Sequence, residues 1–168
     1  SPSYLAHLAE TLREALEVED RMRDIPPTDV MGIEWFGEAV YALYTAGVLE
    51  KDGDGGLRPF DAATWDDASA LLAGLDRAAP AVEDGGAAIT RLELARLLAE
   101  AFEIEAVGGS PFADTDDGLV AALAELGVVS GYEGGAFRPR QAITRGEMWT
   151  MAYRLLSAIA EPLADAAA

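Results

Sequence analysis

The 168-residue sequence has no cysteine and only one histidine, His7. Without cysteine the chain can form no disulfide, thiol nucleophile or zinc–thiolate site. A Ser-His-Asp triad or a metal site with several histidine ligands would have to depend on His7 alone, which argues against catalysis of either kind. Chemistry with two carboxylates stays formally open because acidic residues are abundant. We therefore expect a protein that is not an enzyme.

Basic residues are also scarce, since 12 lysines and arginines face 30 aspartates and glutamates, for a net charge of −18. This balance argues against binding to nucleic acid or to an anionic membrane surface. No apolar run reaches the roughly 18 residues of a membrane span, so membrane insertion is not expected. The opening residues 1–3 (SPS) lack the charged region of a signal peptide, so we expect that any signal peptide has been removed or was never present. Hydrophobic residues are plentiful at 51%, which predicts one folded domain.

Apolar residues recur at helical spacing between turns rich in glycine, aspartate and proline. No segment shows convincing alternation of a β-strand. The pattern predicts an all-α protein that begins with an amphipathic helix. The predicted helices cover residues 4–23, 29–46, 64–75, 90–105, 116–126 and 144–160.

Internal repeats relate these segments to one another. At an offset of 80 residues, residues 55–59 (GGLRP) fall on residues 135–139 (GAFRP), and Thr64 falls on Thr144. At an offset of 54 residues, Thr90 falls on Thr144. Thr64 and Thr90 are only 26 residues apart, so the middle repeat has lost a helix and a loop. The predicted organisation is an N-terminal helix (1–26), a divergent unit (29–76), a truncated unit (77–107), a best-matching unit (108–160) and a tail (161–168).

The last unit resembles an S-layer homology (SLH) domain. Residues 112–115 (FADT), 127–139 (GVVSGYEGGAFRP) and 143–147 (ITRGE) follow that family's motif in order and spacing. Residues 89–93 (ITRLE) resemble half of a second unit. The resemblance implies a pseudo-threefold helical bundle of tandem helix-loop-helix units. It also implies a location outside the cell, at the bacterial cell surface, in the cell wall or S-layer.

The function implied by the resemblance is non-catalytic anchoring of a secreted protein. The ligand would be an anionic secondary cell-wall polysaccharide, often carrying pyruvate ketals, held in grooves between units without a cofactor. The alternative is a degenerate module that binds S-layer or other envelope proteins, because two of the three motif sets are incomplete.

The resemblance assigns Arg91, Arg145 and Asp114 to the ligand grooves. An arginine beside a helix N-terminus offers several donors to a carboxylate, which favours ligand binding, and the alternative for either arginine is a salt bridge to a nearby acid. Asp114 could instead cap the helix at 116–126. Thr90 and Thr144 fit capping boxes, since a glutamate follows each three residues later. The candidate ligand-binding residues are Arg91, Arg145, Arg138, Asp114, Thr90, Thr144 and Tyr132.

Two further features bear on function. Trp65 stands where the motif arginine is expected in the first unit, and either packing or stacking on a sugar would explain it. Residues 50–61 weakly resemble a calcium loop, with Glu50, Asp52, Asp54 and Asp61 as the acidic positions. The glutamate at its first position and Pro59 at its tenth do not fit that pattern, so a metal site is not our leading interpretation.

Overall fold

The computed structural model of the protein describes residues 37–50 and 56–167, with side chains as far as residue 160. Within these ranges the chain forms five α-helices, one short 3-10 helix and no β-strand, which confirms the all-α class. The helix predicted over 4–23 lies outside the described residues. The elements are α1 (Gly37–Thr45), α2 (Trp65–Gly74), α3 (Arg91–Ala101), α4 (Gly118–Glu125), a 3-10 helix (Glu133–Gly135) and α5 (Arg145–Ala167).

Two helices end more than two residues away from their predicted C-terminal bounds. Helix α3 ends at Ala101 rather than at 105, because Glu103 adopts a left-handed φ of 56° that terminates the helix. Helix α5 continues to Ala167 instead of ending at 160, and its alanine-rich end has high helix propensity. Prediction from periodicity therefore located the helices better than their ends.

Threonine side chains start α2, α3 and α5. Thr90 accepts a hydrogen bond from the Glu93 N–H at 3.1 Å, and the Glu93 carboxylate accepts one from the Thr90 N–H at 3.0 Å. This reciprocal pair is the predicted capping box, and Thr64 forms the same arrangement with a side chain in α2. The Thr144 hydroxyl likewise accepts from the third N–H of α5, at 3.2 Å. These caps fix where each helix leaves the preceding loop.

The residues just before these threonines form a closed ring of main-chain hydrogen bonds, here called the central ring. Ala63 donates its N–H to the Ile143 carbonyl at 2.8 Å, Ile143 donates to Ile89 at 3.2 Å, and Ile89 donates to Ala63 at 3.0 Å. All three residues are buried. The central ring thus joins the three repeats, although the predicted pseudo-threefold bundle as a whole stays a prediction.

Apolar side chains surround the central ring and hold the helices together. Helix α1 packs against α5, and α4 packs against α3. Burying each large aliphatic side chain contributes about 1.5–3 kcal/mol to folding. The fully buried large side chains are Phe137, Leu43, Leu57, Leu71, Leu72, Leu75, Ile89, Leu94, Leu98, Leu123 and Ile143.

Candidate functional site

Arg91, the first residue of α3, is buried to 7% exposure. Its Nε–H donates to the Phe137 carbonyl at 2.8 Å, and its Nη1 lies 3.4 Å from Oε2 of Glu147. Its Cζ also lies 4.7 Å from the centroid of the Phe137 ring and 5.0 Å from that of Tyr132. Arg91 therefore connects the start of α3 with the loop before α5 and with α5 itself.

Arg145, the first residue of α5, makes equivalent contacts. Its Nε–H donates to the Leu57 carbonyl at 2.9 Å, and its Nη1 lies 2.7 Å from Oδ1 of Asp67. Its Cζ lies 5.2 Å from the centroid of the Trp149 ring. Leu57 and Asp67 stand 80 positions before the corresponding partners of Arg91. The two predicted arginines thus hold the same structural position in two different repeats.

Each arginine lines an open groove between repeats. We name them the Arg91 groove, of about 310 Å³, and the Arg145 groove, of about 400 Å³. The Arg91 groove is lined by Arg91, residues 128–132, Glu147, Thr150, Met151 and Arg154. The Arg145 groove is lined by Arg145, residues 47–50, Asp67, Ala70, Leu71, Gly74, Met148 and Trp149. Most lining positions correspond at the 80-residue offset, so the same inter-repeat position occurs twice.

Tyr132 is the other predicted ligand-binding residue that lines a groove. Besides Arg91, its ring contacts Arg138, whose Cζ lies 3.9 Å from the ring centroid. Arg138 itself is exposed, adopts a left-handed φ of 61° and does not line either groove. Thr90 and Thr144 sit beside the groove arginines as helix caps and do not line the grooves either. The structure therefore places Arg91 and Tyr132 together and Arg145 in the second groove.

Asp114 does not line either groove, and it holds the loop that precedes α5. Its Oδ1 accepts from the Phe137 N–H at 2.7 Å, and its Oδ2 accepts from the Arg138 N–H at 2.9 Å. These two donors lower the pKa of the Asp114 carboxyl below its ordinary value of 3.8. The alternative that Asp114 caps α4 is wrong, because Asp117 accepts from the first N–H groups of that helix.

Asp117 has a second partner besides the helix that it caps. Its carboxylate forms an ion pair with Arg96 on α3, which ties the start of α4 to that helix. Burial raises the pKa of Asp117, but hydrogen bonds from the Val120 N–H and from Arg96 outweigh it and lower the pKa overall. This link is structural, since neither Arg96 nor Asp117 lines a groove.

Sequence reasoning missed three charged groove residues. Asp67 and Glu147 are the ion-pair partners of the two arginines, and Arg154 lines the Arg91 groove from α5. The sequence does contain a pattern that relates Asp67 and Glu147, because the two acidic residues coincide at the 80-residue offset. Arg154 had no such signal, since the equivalent position is Gly74.

The weak calcium loop is only partly covered by the described residues. Asp52 and Asp54 of the weak calcium loop lie outside the described residues. Among the residues that the structure describes, no three histidine, cysteine or acidic side chains come together as a metal site. In the same part of the chain no helix is both long and apolar enough to cross a membrane.

The comparisons with known proteins agree with the repeat structure. The model of the S-layer homology domain matches residues 28–64 and 118–148. An amylopullulanase of Thermoanaerobacterium thermosulfurigenes is 27% identical over 153 residues, covering 84% of this chain and 7% of that protein. The exoglucanase XynX of Acetivibrio thermocellus is 27% identical over 141 residues, covering 77% of this chain and 10% of that protein. No solved structure gave a significant match.

The matched segments are the two in which the arginine acceptors lie. Leu57 falls within the first, Phe137 within the second, and the trimmed middle repeat lies between them. The chain spans a tenth or less of the two relatives, so their names describe much larger proteins. S-layer homology domains are non-catalytic modules that anchor proteins to the cell wall. Over these two matched segments the chain is similar to the S-layer homology domain.

Proposed function

We propose that the chain is a non-catalytic anchoring module that holds a secreted protein at the bacterial cell surface. Its ligand is an anionic secondary cell-wall polysaccharide, of the kind that carries pyruvate ketals, and it binds in the grooves between units of a pseudo-threefold bundle. The observation that carries this proposal is the recurrence of one arginine in two equivalent grooves of a chain with few basic residues.

The chemistry of the grooves suits such a ligand. A guanidinium group offers several donors in one plane and binds carboxylates with two parallel hydrogen bonds. Aromatic rings beside the arginines, Tyr132 in one groove and Trp149 in the other, offer flat apolar faces to a sugar ring. A carboxylate-bearing sugar would use both features at once.

The remaining predicted residues would act indirectly. Asp114 and Arg138 fix the loop that carries Tyr132, through the main-chain hydrogen bonds of Asp114 and the ring contact of Arg138. Thr90 and Thr144 fix the helix starts from which the two groove arginines project. We assign these four as positioning residues for the grooves.

Co-sedimentation with purified cell-wall sacculi tests the proposal. We expect the protein to pellet with intact sacculi and to stay in solution after the secondary polymer is removed. The double variant Arg91→Ala/Arg145→Ala should lose most pelleting, at a temperature where circular dichroism shows it folded. Arg140→Ala is the control for charge. Arg140 is exposed, and this substitution removes one positive charge outside both grooves. A folded double variant that still pellets fully would refute the assigned sites.

The alternative is a degenerate module that binds an S-layer or other envelope protein. It is favoured by one observation, that both groove arginines already have a carboxylate partner within the chain. The same sedimentation assay separates the two. Pelleting that survives removal of the polymer but is lost after protease treatment of the sacculi would favour a protein partner and overturn polysaccharide binding.

A further inference from the structure

The two grooves differ in charge although they occupy equivalent positions. The Arg91 groove is lined by Arg91 and Arg154 against Glu147, which leaves one positive charge. The Arg145 groove is lined by Arg145 against Asp67 and Glu50, which leaves one negative charge. In a chain of net charge −18, such a local excess of positive charge decides where an anion can bind.

The ion pair in the Arg145 groove is also shorter than the ion pair in the Arg91 groove. Nη1 of Arg145 lies 2.7 Å from Oδ1 of Asp67, whose Oδ2 also accepts the Thr64 N–H at 2.9 Å. Nη1 of Arg91 lies 3.4 Å from Glu147, beyond the usual length of a charge-assisted hydrogen bond. The Glu147 carboxylate is also fixed, since it accepts from the Thr144 hydroxyl at 3.1 Å. The grooves therefore differ in the length of the ion pair, and Arg91, with the longer one, has the weaker partner to exchange for a ligand.

Arg154 adds a second cation only in the Arg91 groove. It is exposed on α5, and no carboxylate among the described residues lies within ion-pair distance of it. Gly74 holds the equivalent position in the Arg145 groove, where an added Cβ would lie 2.8 Å from the Val48 carbonyl oxygen. The backbone there leaves no room for an equivalent arginine.

We infer that the Arg91 groove alone binds the carboxylate of the ligand, and that Arg154 is a ligand-binding residue together with Arg91. The Arg145 groove does not bind the carboxylate. This inference rests on the proposed function and assigns the anionic part of the polymer to one of its two grooves.

An NMR titration of the ¹⁵N-labelled chain tests the assignment. The probe is a methyl hexoside bearing a pyruvate ketal, and its uncharged methyl ester is the matched control ligand. We expect the acid to shift the amide signals of Ser130 and Gly131, and to leave those of Glu50 and Gly74 in place. Arg154→Gln should raise the Kd of the acid about tenfold or more, because a hydrogen bond between charged groups is lost. For the same reason the methyl ester should bind the wild type about tenfold or more weakly than the acid does. Glutamine is a good helix former, so the variant should fold.

Arg140→Gln is the control for charge alone and should leave the Kd within about twofold, since exposed charges at a distance are largely screened by salt. Shifts centred on Glu50 and Gly74, or a Kd that Arg154→Gln does not change, would overturn the groove assignment. Either result leaves anchoring intact if the protein still pellets with sacculi. The absence of shifts at both grooves would also overturn the groove assignment. If the protein in addition fails to pellet with sacculi, the proposed function itself is refuted.

Discussion

Replacing Arg91 with methionine should destabilise the fold substantially, because this side chain connects three parts of the protein. The variant keeps a long, unbranched side chain but loses the donor to the Phe137 carbonyl, the contacts with two aromatic rings and the partner of Glu147. The buried position of Arg91 means that solvent cannot replace these interactions fully. The change therefore removes structure as well as charge.

The size of the effect follows from these contacts. A buried carbonyl left without its donor costs about 1–3 kcal/mol. Each of the two cation–π contacts is worth about 0.5–1 kcal/mol. The long ion pair with the partly exposed Glu147 contributes at most about 1 kcal/mol. Methionine recovers part of this by apolar packing. We expect the free energy of unfolding to fall by about 2–4 kcal/mol.

Urea unfolding followed by far-ultraviolet circular dichroism measures this loss. The slope with urea should be unchanged, since the same surface is exposed on unfolding, while the midpoint falls. Arg140→Met is the control and should change the free energy of unfolding by less than about 0.5 kcal/mol, as is usual for exposed substitutions. An equally small change for Arg91→Met would show that Arg91 does not hold the loop and α5 together.

Three further variants test other parts of the structure with the same urea assay. Ile89→Ala opens a cavity beside the central ring and should cost about 2–5 kcal/mol, so a loss below about 1 kcal/mol would contradict the packing described. Gly127→Ala should cost about 1 kcal/mol or more from backbone strain alone, because φ is +75° and no atom lies near the added Cβ; an unchanged midpoint would refute this. The pKa of Asp114 is lowered on folding, so its charge stabilises the fold above the ordinary value of 3.8, and that stability is lost as the pH falls below it. The difference between the wild type and Asp114→Asn should therefore shrink on acidification through this range, and a constant difference would contradict the role of the charge.

Local sequence signals predicted much of the fold. The pattern of a threonine followed three residues later by glutamate located the start of α3 at Thr90, because a capping box involves only neighbouring residues. Gly134 and Gly135 have positive φ, at 82° and 76°, which glycine adopts without a steric penalty. The helix starts and turns are thus encoded within a few residues of where they occur.

The contacts of the site could not be read from local signals in the same way. Arg91 donates to a carbonyl 46 residues away and Arg145 to one 88 residues away, so their partners depend on how the repeats meet. Asp114 looked equally suited to a groove or to a helix cap, and the loop that it holds is defined only by the folded chain. Pattern and spacing identify the residue types of the grooves, whereas tertiary packing decides which side chains meet.

The main-chain hydrogen bonds at the starts of α2, α3 and α5 are equivalent, although α2 begins with Trp65 and not with an arginine. The first residue of each capped helix donates its N–H to a carbonyl beside the central ring. Trp65 donates to Ala87 at 3.1 Å, as Arg91 does to Gln141 at 2.9 Å. The substitution of the arginine by Trp65 has therefore left the backbone of this joint in place.

An arginine at position 65 would lack a carbonyl acceptor of the kind that Arg91 and Arg145 have. Each groove arginine donates its Nε–H to the loop of the next repeat, from Arg91 to Phe137 and from Arg145 to Leu57. By the same order, an arginine at position 65 would donate to the loop of the middle repeat, which is the segment that the sequence has lost. Trp65 is partly buried, and a partly buried guanidinium without a carbonyl acceptor would gain little there. The absence of an arginine at position 65 is thus consistent with the absence of a loop to accept its hydrogen bond, and the described residues form two grooves that are lined by an equivalent arginine.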